Sequence, residues 1–284
     1  MRRLQKGAEK MKKARPVRSR LVLYSTTVLA VVLLNGCVTC PCAVEASPKP
    51  DQLVQVSIID ALLKGVYDGE VTCGEVKQHG DFGLGTFQGL DGEMIVFGGD
   101  VLQVSVDGQV RAMPDETKTP FAVVTWFDAD KTFSARDVDY NGFKQVVDAE
   151  LPSRNWFYAI KAEGRFAYMK TRSVPGQQKP YPPLVDVVKE QAVFEMEDVE
   201  GTLIGFWSPS FVKGMNVPGY HLHFLSDDRT RGGHVLAFRM TQAAVSLDVC
   251  HDLDLRLPGT EAYSGLDLTE DMQKALHTVE KDKK

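Results

Sequence analysis

Cysteine is scarce in this chain, and positive charge is scarce beyond its first stretch. Five cysteines occur in 284 residues. Cys37, Cys40 and Cys42 crowd near the start, which leaves Cys73 and Cys250 for the body. That excludes a disulfide-built scaffold, although a single Cys73–Cys250 bridge is permitted in an exported chain. The Cys-x-x-Cys-x-Cys spacing has no second cluster to complete a metal site. Long apolar runs are missing too. The apolar-rich stretch Leu21–Leu34 has 14 residues, short of the ~20 that a membrane-spanning helix needs. A composition of 43% hydrophobic and 25% charged residues excludes a collagen, a disordered chain and a polytopic membrane protein.

The charge is unevenly placed. Of 33 Lys and Arg, nine precede residue 47, against only Glu9 and Glu45 among 38 acidic residues. The 24 basic and 36 acidic side chains that remain leave the body at -12. Such a body repels phosphate backbones, so nucleic acid is excluded as an expected partner.

Residues 1–46 read as an address. Nine basic residues from Arg2 to Arg20 precede the short apolar stretch, the pattern of a bacterial-type secretory signal. Translation could also begin at Met11. Val44-Glu45-Ala46 offers small residues for cleavage before Ser47, whereas Leu34-Asn35-Gly36-Cys37 resembles a lipoprotein box with Cys37 as the anchor. The expectation is an exported protein, periplasmic or extracellular, with Cys37 as a candidate lipid attachment.

Beyond a linker at Ser47–Asp51, Ser57-Ile58-Ile59-Asp60 opens a short amphipathic helix through Leu62, Leu63 and Val66. Acidic-Gly pairs between apolar runs then predict three hairpins. They lie at Asp91-Gly92, Asp107-Gly108 and Glu163-Gly164. Helices are expected at about Tyr140–Glu150, Pro182–Lys189 and Thr269–Lys281. The pattern predicts an α+β fold of mixed, largely antiparallel sheets in two closely packed domains. Their boundaries are 47–190 and 191–284, the second holding the terminal helix.

Histidine carries the functional argument. There are six, and three fall within Gly219-Tyr-His-Leu-His-Phe to Gly232-Gly-His234. On a strand His221 and His223 share a face, while Leu222 and Phe224 take the opposite one. The polar loop Ser226–Gly233 turns the chain back and brings His234 level with the pair. Three imidazoles on one wall are the ligand set of an open catalytic zinc site; Fe, Ni or Cu also accept imidazole. His79, His251 and His277 have no such company.

His-x-His on a strand also occurs in cupins, but the usual Glu a few residues later is absent, as is a second cupin motif. The chain instead resembles the alpha-acetolactate decarboxylase family over nearly its whole length after Val54. The stretches that carry this are Leu62–Glu70, His79–Phe87, Leu90–Glu93, Leu151–Asn155, Thr171-Arg172, Lys179–Tyr181, Gly219–Phe224, Gly232–Val235 and Leu255–Pro258. The resemblance implies a two-domain mixed-sheet fold, a homodimer, and zinc held by His221, His223 and His234. It implies decarboxylation of (S)-2-acetolactate, a 2-hydroxy-3-oxo acid, to (R)-acetoin. It further implies Arg172 as the substrate-orienting cation, Glu93 and Glu280 as the carboxyls from which the proton comes, and Thr86 beside them as a substrate contact. The rival expectations are a cupin-like metal-dependent oxygenase or isomerase, and a non-catalytic exported protein that binds a small acid or a metal.

Overall fold

The computed structural model describes residues 51–280. The expected signal, both of its exits and Cys37 lie outside the described residues. The described chain opens with β1 (Gln52–Val56), α1 (Ile59–Leu63), β2 (Val71–Thr72) and α2 (Cys73–Lys77). A run of strands follows: β3 (Phe82–Thr86), β4 (Glu93–Phe97), β5 (Asp100–Val104), β6 (Val110–Ala112), β7 (Lys118–Thr119), β8 (Phe121–Thr125) and β9 (Lys131–Asp139). Then come α3 (Tyr140–Glu150), β10 (Phe157–Ser173), α4 (Leu184–Val187), β11 (Ala192–Ser208), β12 (Gly219–Ser226) and β13 (Gly232–Cys250). β14 (Asp252–Arg256), α5 (Glu261–Ser264) and α6 (Gln273–Glu280) complete it.

Most strands join one of two sheets. The first has seven strands in the order β14-β1-β8-β3-β4-β5-β6, antiparallel except for the parallel β1–β14 pair. The second is antiparallel, in the order β10-β11-β12-β13-β9. One edge of the long β13 pairs with β10, while the other pairs first with β12 and then with β9. β10, β11, β12 and β13 therefore close on themselves, with β9 left at the open end of the sheet. β2 and β7 form a separate short pair.

Alternation divides the apolar residues among three cores. Leu84 and Ile95 of the first sheet meet Ile204, Phe206 and Leu225 of the second between the sheets. Leu222, Phe224 and Phe238 pack inside the closed part of the second sheet, under α3. Met94, Val96 and Val124 cover the far face of the first sheet. The α+β class holds, with antiparallel pairing dominant.

The local expectations fared unevenly. α3 begins and ends as expected, with Asp139 accepting a capping bond from the Gly142 amide. The Asp107-Gly108 hairpin is present between β5 and β6. Asp91-Gly92 lies in a wider β3–β4 connection that includes a short 3-10 turn at Gln88–Leu90. α1 stops at Leu63, three residues before Val66, and α6 starts at Gln273 rather than Thr269. α4 is a single turn continued by a 3-10 turn to Glu190.

Glu163-Gly164 is not a turn at all. β10 runs straight through it, and glycine is there because a Cβ would stand 2.1 Å from the Gln242 carbonyl oxygen. A boundary at residue 190 also does not part the sheets, since β10 before it and β11 after it are paired along their length. The described residues, 51–280, belong to a single compact unit. Cys73 and Cys250 are free buried thiols in two different cores, so they form no bridge.

Candidate metal centre

Period-two alternation on β12 sets the centre. His221, His223 and Leu225 face the first sheet, opposite Leu222 and Phe224, which enter the closed core. The tight return to β13 places His234 directly across from His223 in the antiparallel register. The three rings stand 5.1 to 5.4 Å apart between centroids. Their ligand nitrogens lie within 4.8 Å of one another.

His223 and His234 are 1% and 2% exposed, and His221 is partly exposed with its Nδ1 shielded. Burial lowers the pKa of all three, and the Arg172 charge adds to it, so the imidazoles are neutral at neutral pH. His221 falls to about 3.

The protonation pattern suits a cation. His223 Nδ1 lies 2.8 Å from the Met94 carbonyl oxygen. That oxygen can only accept, so Nδ1 carries the proton and Nε2 keeps its lone pair. His223 Nε2 and His221 Nδ1 are both buried without a hydrogen-bond partner. Orphaned nitrogens of this kind are rare in folded proteins unless something else satisfies them. Three neutral nitrogen donors with room for one more ligand fit a zinc ion.

The other expected residues converge on the same place from different elements. Arg172, 4% exposed on β10, is directly across from His234 on β13. Its Nε is buried and unpartnered. Glu93 starts β4 on the face that carries Ile95, toward the second sheet, and its Oε2 stands 3.5 Å from His223 Nε2. Glu280 ends α6, with Oε2 3.5 Å from His234 Nε2. Burial pushes both carboxyls up to about 7, while Arg172 pulls each down. The charge of Glu280 raises Glu93 further.

Thr86 is opposite Glu93 in the β3–β4 pair. Its hydroxyl donates to the Gly92 carbonyl at 2.7 Å, which fixes the turn that delivers Glu93. Within that turn Leu90 is buried with φ 59, a left-handed conformation that a side chain rarely adopts. His79, His251 and His277 take no part in the centre.

The sequence reading overlooked the apolar wall of the pocket. Ile59 and Leu62 from α1, Leu184 from α4 and Val279 from α6 line it alongside the polar groups. Their only local signal is helical spacing, which says that a face is buried and not what it is buried against.

This fold and site define a two-sheet α+β protein with a buried three-histidine group that could hold a metal ion. The profile of the alpha-acetolactate decarboxylase family matches residues 53–270. The chain is 47% identical to the alpha-acetolactate decarboxylase of Methanosarcina mazei, over 81% of each chain. It is 41% identical to that of Brevibacillus brevis, over 85% of this chain and 86% of the other. The crystal structure of the Bacillus subtilis strain 168 alpha-acetolactate decarboxylase superposes with a TM-score of 0.80 at 38% identity, covering 81% of this chain and all of that one. The chain belongs to the alpha-acetolactate decarboxylase family, whose named activity is that of a carboxy-lyase.

Proposed function

We propose that the protein decarboxylates (S)-2-acetolactate to (R)-acetoin and CO2, with zinc held by His221, His223 and His234, as the acetoin-forming step from a pyruvate-derived acid. One observation carries the reading: three neutral imidazoles, a guanidinium with a free donor, and two carboxyls of raised pKa meet in one buried pocket. Loss of CO2 from a β-keto acid leaves an electron pair on carbon. A bound zinc supplies the Lewis acidity that makes this pair less costly.

The chain's own residues do the rest. Arg172 holds the substrate carboxylate through a buried donor that no protein group uses, and so fixes its orientation. Burial of the surrounding side chains keeps bulk water from quenching the carbanion without stereocontrol. The proton then passes to carbon from one of the two carboxyls, Glu93 beside His223 or Glu280 beside His234. A pKa near 7 lets such a group be protonated at neutral pH and still release its proton. Delivery from a fixed side selects one hand of acetoin.

The test uses purified protein and racemic 2-acetolactate, with CO2 and chiral acetoin followed before chelation, after it, and after zinc is restored. Chelator-sensitive formation of (R)-acetoin that returns with zinc is the expected result. Absence of turnover from folded, zinc-loaded protein overturns the reading in favour of a binding role.

Export and self-association belong to the same proposal. Export is supported by the basic stretch and the short apolar run before residue 47, and a homodimer by the resemblance alone. Fractionation of the source cells and the solution mass of the purified protein test them.

A further inference from the structure

The pocket raises a problem of access. His223, His234, Arg172, Glu93 and Thr86 are all buried between the sheets, and of the residues that line the pocket only His221 and Glu280 keep partial exposure, so the way in for a substrate runs past the end of α6. Three of the wall elements are helices, α1, α4 and α6. α6 is the least anchored of them. It has eight residues, too few to be helical alone in water. It buries only Leu276 and Val279. The chain that leads to it, residues 257–272, contains no buried residue. Yet α6 ends in Glu280, the residue that stands against His234.

Two ion pairs tie the start of α6 to the body. Lys64 Nζ lies 2.8 Å from Glu270 Oε2, and Lys213 Nζ lies 3.1 Å from Asp271 Oδ2. Asp271 is bifunctional, because its Oδ1 also accepts the Gln273 amide at the first residue of the helix. Lys213 therefore grips the very side chain that starts α6.

The two lysines sit on one block. Lys64 caps the C-terminus of α1. Lys213 is in the loop whose Gly214 and Met215 carbonyls accept the Asp60 and Ile59 amides of α1. Ile59 and Leu62 of that same α1 line the pocket.

We propose that α6 is a lid that opens to admit substrate, and that Lys64 and Lys213 are positioning residues that latch it shut with Glu280 in place. The inference rests on the proposed role of Glu280. Neither lysine touches the reacting atoms. Each acts through an acidic residue just ahead of the helix. Because both pairs are partly exposed, the latch is weak and salt-sensitive. A latch that must release at every turnover has to be of that kind.

Hydrogen exchange and kinetics on the zinc-loaded full chain test this together. In the wild-type protein, amides of 273–280 are expected to exchange much faster than those of 219–226. The Lys64→Met/Lys213→Met double variant should speed exchange in α6 by about three- to tenfold and leave β12 unchanged, which also shows that the fold is intact. kcat/KM should fall by the same factor, and its decline with added NaCl in the wild type should disappear. Exchanging the charges of one pair in the otherwise wild-type chain, Lys64→Glu with Glu270→Lys, should keep both at their wild-type values.

Exchange in α6 as slow as in β12, or unchanged in the double variant, overturns the lid. Wild-type protein that shows the expected exchange but does not turn over 2-acetolactate instead overturns the proposed reaction and leaves the lid standing.

Discussion

His223 is hydrogen-bonded to Met94 across the gap between the two sheets, Nδ1 to carbonyl oxygen, at 2.8 Å. Met94 directly follows Glu93 on β4, and Glu93 in turn stands 3.5 Å from the other nitrogen of the same ring. One imidazole thus has its tautomer set by the backbone of the strand that also supplies a carboxyl to the site. The two sheets cannot separate without spoiling both.

Substitution of His223 by alanine should therefore remove metal and activity together. The remaining pair of imidazoles lacks the third donor of the set. Zinc content after gel filtration and the rate of CO2 release measure it. Full activity in metal-free His223→Ala protein would remove these histidines from the site.

Glu93→Gln should keep its zinc and lose turnover by about 10²–10⁴-fold, the usual contribution of a positioned proton donor. The amide preserves shape but has no acidic proton to give. A wild-type rate with full zinc occupancy would take Glu93 out of the chemistry and leave Glu280 as the donor.

Asp248 gives a prediction about pH that does not involve the centre. It is fully buried on β13, with Oδ1 unpartnered. Burial raises its carboxyl to about 7, and the nearby Asp130, Asp51 and Asp128 raise it further, against a bond from the Asp128 amide. Between the unfolded carboxylate range and pH 7 the folded state binds the extra proton, so its contribution to stability falls as pH rises. Asp248→Asn, which cannot ionise, should match the wild type in melting temperature near pH 4. At pH 8 it should melt above the wild type, with a gain in stability on the order of a few kcal/mol. Equal melting temperatures at pH 8 would show that the carboxylate is accommodated.

Gly164→Val should destabilise the second sheet by about 1–3 kcal/mol or more, because the new side chain meets backbone and not a movable side chain. Chemical denaturation measures this. An unchanged midpoint would mean that β10 and β13 can part at this point without cost.

Thr86→Val removes the donor to the Gly92 carbonyl. It should cost about 1–3 kcal/mol of stability. It should also lower kcat by more than it raises KM, since the turn that presents Glu93 loosens. Thr86→Ser, which keeps the hydroxyl, should recover most of the loss.

Much of this protein could be read from the order of its residues. His221, His223 and His234 were legible as one group because strand alternation and a short turn are local rules, and the β12–β13 register is set by chain only a few residues long. The ends of α3 were legible for the same reason, in the cap at Asp139. Thr72 and Glu75 carry an equally local signal, the capping box that starts α2, and it was overlooked. Glu163-Gly164 shows where local rules fail. An acidic-Gly pair that elsewhere makes a turn here lies inside a 17-residue strand, because β11 and β13 flank β10 on both sides and β13 leaves no room for a side chain at Gly164.

Arg172, Glu93 and Glu280 could not be joined to the histidines by spacing, and only resemblance linked them. They come from β10, β4 and α6, and the closure of one sheet and its packing on the other brings them within reach of the rings. Their chemistry is also a tertiary product. A glutamate at a turn and another at a helix end are ordinary carboxylates in the unfolded chain. Only withdrawal from water, beside one shared guanidinium, holds both near a pKa of 7. Residue identity determined which donors this protein has, because valence and strand periodicity are properties of the chain itself. The fold decided which of them meet and how readily they hold a proton, because distance and solvation exist only once the chain has packed.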